Sequence, residues 1–151
     1  MKVLDRIEIS KAVITDLTAV AGLFNSYRVF YGQAPNLEMA TKFLSMRLAN
    51  GDSVIFVAKD KAESVGFVQL YPSYSSVSMK PIWILNDLFV SPTARQHGIG
   101  RALMNKACDF AVETGAKGLS LETTSNNLIG QKLYESLGYR KDETLHYFLE
   151  V

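Results

Sequence analysis

Apolar residues along the first fifty positions recur at helical spacing, and from residue 53 onward the spacing shortens to that of strands. Ile7-Glu8-Ile9 opens the chain as a predicted strand. Leu17, Val20, Phe24, Tyr27 and Tyr31 then share one face of a predicted helix. Thr15 is its expected N-cap, with Asp16 in the first turn, where the helix dipole favours an anion. Asn36 is expected to cap a second helix with Leu37, Ala40, Leu44 and Leu48 inward, stopped at Gly51. Residues 53–58 (SVIFVA) read as a strand and residues 65–71 (VGFVQLY) as its hairpin partner, ended by Pro72. A serine-rich loop, Ser73-Tyr74-Ser75-Ser76, leads to another predicted strand at 82–90, stopped by Ser91-Pro92. Ile99, Ala102, Leu103, Ala107 and Phe110 restore a helical face over 99–114. A strand at 119–123, a short helix at 128–137 stopped by Gly138, and a last strand at 145–151 complete the pattern, with one more short strand at 139–141 as an option.

Hairpins come first and strand-helix-strand crossovers follow, so the expected class is α/β with a central mixed sheet flanked by helices. No repeat, low-complexity tract or linker interrupts the chain, and 151 residues suit a single domain spanning 1–151. Sixteen Lys and Arg against fifteen Asp and Glu leave a net charge of +1, which gives no field for nucleic acid or an anionic membrane. Apolar runs such as Ile82-Trp83-Ile84-Leu85 are too short to span a bilayer, and the charged start argues against a signal peptide. The single cysteine, Cys108, cannot form an internal disulfide, and no Cys/His cluster has metal-binding spacing. A cytoplasmic protein with no metal is the expectation.

The chemistry concentrates after the strand at 82–90. Arg95-Gln96-His97-Gly98-Ile99-Gly100-Arg101 joins that strand to a helix start. Glycine allows close backbone approach, and the first N–H groups of a helix, at the positive end of its dipole, suit a diphosphate. Arg95 and Arg101 can add charge-assisted contacts, and His97 either meets phosphate or fills the loop. Two glycines in isolation favour a plain strand-to-helix turn, since short glycine motifs are frequent by chance. The run lacks the Gly-Lys-Ser/Thr of a Walker loop. Leu103 stands where a dinucleotide fingerprint wants Gly or Ala; Glu122 lies near the place of its ribose acid, but the preceding hairpins oppose that fold.

Val90-Ser91-Pro92 followed by Arg95-x-x-Gly98-x-Gly100 resembles the signature of the GCN5-related N-acetyltransferase superfamily. Asn127-x-x-Gly130-x-x-Leu133-Tyr134-x-x-x-Gly138-Tyr139 is similar to its second signature, with Gly130 where members usually carry Ala. The resemblance implies two parallel strands that splay apart around the pantetheine arm of acetyl-coenzyme A. It places that arm against Leu88, Phe89 and Val90, the diphosphate on the amides of 96–101 (Gln96, His97, Gly98, Ile99, Gly100, Arg101), and Asn127 beside the pantetheine. It also makes Tyr134, which would adjoin the donor, the acid for the departing thiolate.

Acyl transfer to an amine needs a neutral amine, a donor for the oxyanion and a proton for the thiolate. A backbone N–H near Leu88 or Phe89 would serve the oxyanion. Asn86-Asp87-Leu88-Phe89-Val90 resembles the strand of spermidine/spermine-type enzymes, with Asn86 in place of the first acid of an acidic pair. Asn86 cannot accept a proton, and successive strand residues face opposite sides, so Asp87 is open to two roles: a proton acceptor reached through water, or a structural hydrogen-bonding residue. Tyr27, Tyr31, Tyr71 and Tyr74, with Trp83 and Asn86, are candidates for an amine pocket, since aromatic faces attract cations. Tyr27 and Tyr31 also continue the core stripe, whereas Tyr71 and Tyr74 flank Pro72. Cys108 is read as a bystander on the helix. The expected partner is a small-molecule amine such as a polyamine or amino acid, with a protein lysine or a non-catalytic acyl-CoA sensor as alternatives. The apolar terminus Leu145-His146-Tyr147-Phe148-Leu149 suggests a homodimer.

Overall fold

The computed structural model describes residues 1–151. They divide into two compact units, Met1–Leu121 and Glu122–Val151. The first unit holds five strands: β1 (Ile7–Lys11), β2 (Val54–Asp60), β3 (Glu63–Ser75), β4 (Lys80–Val90) and β5 (Leu119–Ser120). They lie in the order β1-β2-β3-β4-β5, antiparallel except for the parallel pair β4/β5, so the sheet is mixed as expected. Two helices, α1 (Leu17–Phe30) and α2 (Leu37–Asn50), pack on one face of the sheet. Val20, Ala21, Phe24, Ala40 and Leu44 meet Val57, Phe67 and Phe89 there in one apolar cluster. A third helix, α3 (Ile99–Glu113), covers the other face, where Phe110 packs against Phe56 and Trp83.

Local chemistry explains most of the boundaries. Asn36 caps α2 as expected, its side chain accepting from the Met39 N–H at 3.1 Å, and Gly51 closes the helix. The start of α1 differs from expectation. A 3-10 turn, Ile14–Asp16, precedes Leu17, and Thr15 lies inside it. Asp16 closes that turn and its side chain makes no cap bond to α1: the carboxylate accepts from the Val13 N–H at 2.8 Å and from Lys59 on β2 at 2.6 Å. Those donors hold its pKa below the usual value, Lys59 contributing most.

Pro72 does not end β3. It pairs opposite Trp83, and the serine run expected as a loop continues the ladder to Ser75↔Lys80. Gly66 is required where β3 meets β4: a Cβ there would sit 2.9 Å from the Phe89 carbonyl oxygen. The 119–123 strand shrinks to two residues. In the second unit, α4 (Leu128–Ser136) forms as expected, but 139–141 and 145–151 adopt no strand. Alternation marks which residues could face a core; a ladder also needs a paired edge, and these residues have none. No helix is long and apolar enough to cross a membrane.

Candidate active site

The site grows from an irregularity in β4. Gln69 pairs with Asp87 and Leu70 with Leu85, so Asn86 is the extra residue of a β-bulge. The bulge reverses the facing of the strand. Trp83 packs on Phe110 of α3, whereas Phe89, an even number of residues further on, packs on Tyr27 of α1. Asp87 is thereby delivered to the α1/α2 face. This answers the alternation argument made from the sequence, which assumed a regular strand. On its other edge β4 pairs with β5 only at Trp83↔Leu119 and Ile84↔Ser120. From Leu85 to Val90 that edge has no strand neighbour, because β5 ends at Ser120.

Asp87 is 3% exposed and sits in a chain of side-chain hydrogen bonds. Gln69 Nε2 donates to one carboxylate oxygen at 2.5 Å, and Asn86 Nδ2 donates to the other at 3.1 Å. The Tyr27 hydroxyl donates to the Asn86 carbonyl oxygen at 3.4 Å and lies beside the same carboxylate. Behind Gln69, Ser53 donates to its Oε1 at 3.0 Å. Burial raises the pKa of Asp87 above the ordinary carboxylate value, and the donors from Gln69, Tyr27 and Asn86 oppose the rise. Burial also raises Tyr27, and it pushes Tyr71 up to about 12 with help from the Asp87 charge. Both phenols therefore stay protonated as donors. Ser53 and Gln69 were missed by the sequence reading. The available signal was a lone amide in VGFVQLY, in phase with Phe67 and Tyr71.

The tyrosines sort themselves. Tyr27 is partly buried against Phe24, Phe67 and Phe89, yet its hydroxyl reaches the bulge, so packing and site roles coincide. Tyr71 is partly buried near Asp87. Tyr31 is exposed and meets Tyr27 edge-on at 5.0 Å. Tyr74 is 78% exposed near the tip of the β3/β4 hairpin, away from the network. Trp83 lies on the opposite face of the sheet from Asp87, its indole bonded to Thr114 at 2.9 Å, and is a packing residue.

Beyond β4, a short 3-10 turn (Pro92–Ala94) leads into the glycine run. Gln96 and Gly98 both adopt left-handed backbone, at φ 67° and 83°. Gly98 is the N-cap of α3 and offers no side chain to it; the first helical bond runs from Ala102 N–H to the Gly98 carbonyl at 3.0 Å. The amides of Ile99 and Gly100 thus point out of the helix end, where a fifteen-residue helix presents its positive pole. This fits a diphosphate. Arg95 is placed differently from expectation: its Nε donates to the Val90 carbonyl at 2.8 Å, and its guanidinium lies over Phe30 and Phe89. Gln96 and His97 are exposed beside an open groove shared with Met1, Lys2, Val3 and Leu4.

Residues 20–139 match the acetyltransferase (GNAT) family. The chain belongs to that family. It is 50% identical over 144 residues to the uncharacterized N-acetyltransferase YhfO of Bacillus subtilis, covering 95% of this chain and 97% of that one. It is 37% identical over 131 residues to a probable acetyltransferase of Haemophilus influenzae, covering 86% and 88%. A crystal structure of a probable acetyltransferase superposes with a TM-score of 0.90 at 41% identity, over 95% of this chain and 97% of that one. The protein is accordingly a GNAT acyltransferase, and acetyl-CoA is its donor.

The second GNAT motif lies in the unit Glu122–Val151. Asn127, expected beside the pantetheine, uses both ends of its amide locally: Oδ1 accepts from the Gly130 N–H at 3.1 Å, capping α4, and Nδ2 donates to Thr123 at 2.9 Å. The departure from alanine at Gly130 now has a physical reading. A Cβ there would lie 2.4 Å from Asn127 Nδ2, in the space the cap occupies. Tyr134 is partly buried on α4, its ring 6.3 Å from that of Tyr139. Cys108 is exposed on α3.

Proposed function

We propose that this acetyltransferase transfers acetyl directly from acetyl-CoA to the primary amine of a small molecule, in the cytoplasm, with the whole chain acting as one catalytic domain. The family match across both units supports the last point. The observation that carries the reading is Asp87, an almost fully buried carboxylate set under the partly buried phenols of Tyr27 and Tyr71. An acid among aromatic faces attracts a protonated amine and can then take its proton.

In this reading the neutral amine nitrogen attacks the thioester carbonyl carbon, with Asp87 receiving the amine proton directly or through water. A backbone N–H on the splayed edge near Leu88 or Phe89 stabilises the oxyanion. The C–S bond then breaks, and the thiolate takes a proton from Tyr134. That last assignment rests on the place of Tyr134 in the second motif. Asn86 aligns the carboxylate and takes no proton itself. Tyr31 lies at the exposed edge of the aromatic cluster, where an arriving amine would first meet it.

Thiol release from acetyl-CoA, measured against polyamines, amino acids, aminoglycosides and a lysine peptide, tests the acceptor class. A small amine should turn over fastest; a lysine peptide that outpaces all of them overturns the reading. Tyr134→Phe should lower kcat by about 10²-fold or more with little change in acetyl-CoA affinity. An unaltered rate removes Tyr134 from the mechanism. We further propose a homodimer through the C-terminal segment, because Leu145, Tyr147, Phe148 and Leu149 are each at least three-quarters exposed. A monomeric mass by light scattering at micromolar concentration counts against it.

A further inference from the structure

The polar chain behind Asp87 runs deeper than a proton acceptor requires. Ser53 stands just before β2, Gln69 in the middle of β3 and Asp87 at the bulge of β4, so three neighbouring segments of the sheet each contribute one side chain. All three are buried, Gln69 completely. A leucine would fill the place of Gln69 without the desolvation cost of an amide; the amide is tolerated because both of its ends are bonded.

We propose that Ser53 and Gln69 are positioning residues for Asp87, which fix its carboxylate in one orientation and hold it ionised toward the acceptor amine. The proposal rests on the reading of Asp87 as the group that receives the amine proton. Its logic is directional. A glutamine side chain accepts at Oε1 and donates at Nε2. Ser53 donates to Oε1, so Nε2 is the end that faces Asp87. A donor favours the charged carboxylate, whereas a flipped amide would present an acceptor and favour the protonated acid. Ser53 holds the Oε1 end of the amide in place, and the Nε2 donor at the other end favours the charged form of Asp87. The other groups facing Asp87 are Asn86 on its own strand, Tyr27 from α1 and Tyr71 from β3, with Arg47 and Asp52 at the end of α2 beyond Tyr71.

The test follows the Asp87 carboxyl directly, by carbon NMR of aspartate-labelled protein titrated with acid, the resonance assigned by its loss in Asp87→Asn. Gln69→Leu should raise the Asp87 midpoint by about one pH unit, the loss of one hydrogen bond to a charged group. Ser53→Ala should raise it by less, and Ser53→Thr, which restores a hydroxyl, should return it to the wild-type value. An Asp87 midpoint unchanged in both Gln69→Leu and Ser53→Ala overturns the proposal. If Gln69→Leu does not fold, the Ser53 pair decides alone: a rise in Ser53→Ala reversed in Ser53→Thr supports it, and no rise overturns it. The underlying reading is tested separately, by thiol release with spermidine as acceptor. Full activity in Asp87→Asn, together with a midpoint that moves as stated, removes Asp87 as proton acceptor and leaves the positioning chain standing.

Discussion

Asp87 is held by side chains, Gln69 from β3 and Asn86 from its own strand, and Gly98 by the conformation of its own backbone, although both stand on the stretch of chain that runs off β4 into α3. The acid is buried, and apart from Asn86 its neighbours come from distant positions, Gln69 and Tyr27, with Ser53 behind Gln69. The glycine is exposed, and the one side chain from elsewhere near the place of its Cβ is Leu4, at 3.6 Å. On the proposed reading the two halves of the reaction are divided accordingly. The donor's diphosphate, a fixed and doubly charged shape, suits a local backbone cradle. The acceptor amine must be recognised and deprotonated, which needs a titratable group whose surroundings are set by tertiary structure.

The sharpest way to break this contrast is Asp87→Asn, which keeps the shape and removes the acid. The turnover number should fall by about 10²–10³-fold, the scale of lost general-base catalysis, with acetyl-CoA affinity unchanged by calorimetry. In the wild type, activity should rise with pH as Asp87 ionises, and that rise should sit above the ordinary carboxylate range because burial raises its pKa. The limb should vanish in the variant. Stability should move the other way. A native pKa raised above the unfolded one contributes stability below the unfolded value that is lost as pH climbs through the native value. Tm of the wild type should therefore fall as pH climbs through the Asp87 range, and the Asp87→Asn variant should lack that fall. A variant that keeps its rate and its pH profile would make Asp87 a structural residue and leave the proposed cradle as the remaining half of the site.

Gly98→Ala probes the other side. At φ 83° an alanine is strained, by about 1–2 kcal/mol for a left-handed residue. The nearest atom to its Cβ would be on Leu4 at 3.6 Å, an ordinary contact, so the strain is in the backbone alone. Acetyl-CoA affinity should weaken by about tenfold, the equivalent of 1.4 kcal/mol, while kcat at saturating donor is retained. A fall in kcat with unchanged affinity would show that the two halves are not separable.

The same contrast explains what could be read before the structure. The turn into α3 was legible because its demands are local: Gly98 at a left-handed helix start, Gly100 and a helix behind them leave a fixed spacing in the chain. Most helix and strand cores were legible for the same reason, and Asn36 and Gly51 act as expected. The acceptor half was only partly so. Asp87 stood out through the resemblance of Asn86-Asp87-Leu88-Phe89-Val90 to the strand of spermidine/spermine-type enzymes, but its facing depends on the bulge at Asn86, a property of the register between β3 and β4. Ser53 and Gln69 become partners only through that register. Pro72 was misjudged because a proline is compatible with a ladder where its missing N–H is not required. The short pairing of β5 and the unpaired 145–151 stretch likewise depend on which edges meet, which alternation does not encode.

The smallest effect is expected at Arg95, which touches both regions. Its sequence position assigns it to phosphate, while its side chain lies against the end of β4, bonded to the Val90 carbonyl and stacked over Phe30 and Phe89. Arg95→Lys separates the roles, since lysine keeps the charge but not the planar group or the Nε donor. If the contacts seen here are what matter, stability should fall by about 1 kcal/mol, the sum of one exposed hydrogen bond and a weak ring contact. Tm would then drop by about 2–4 °C in a chain of this size, with acetyl-CoA affinity and its salt dependence nearly unchanged. Arg95→Ala should lose no more affinity than Arg95→Lys. Were Arg95 chiefly a phosphate ligand, the alanine variant alone would bind acetyl-CoA poorly and with a shallower salt dependence, because a point charge would have been removed from a screened contact. The first outcome makes Arg95 the strut that fixes where the cradle stands relative to β4, and the second makes it part of the cradle itself.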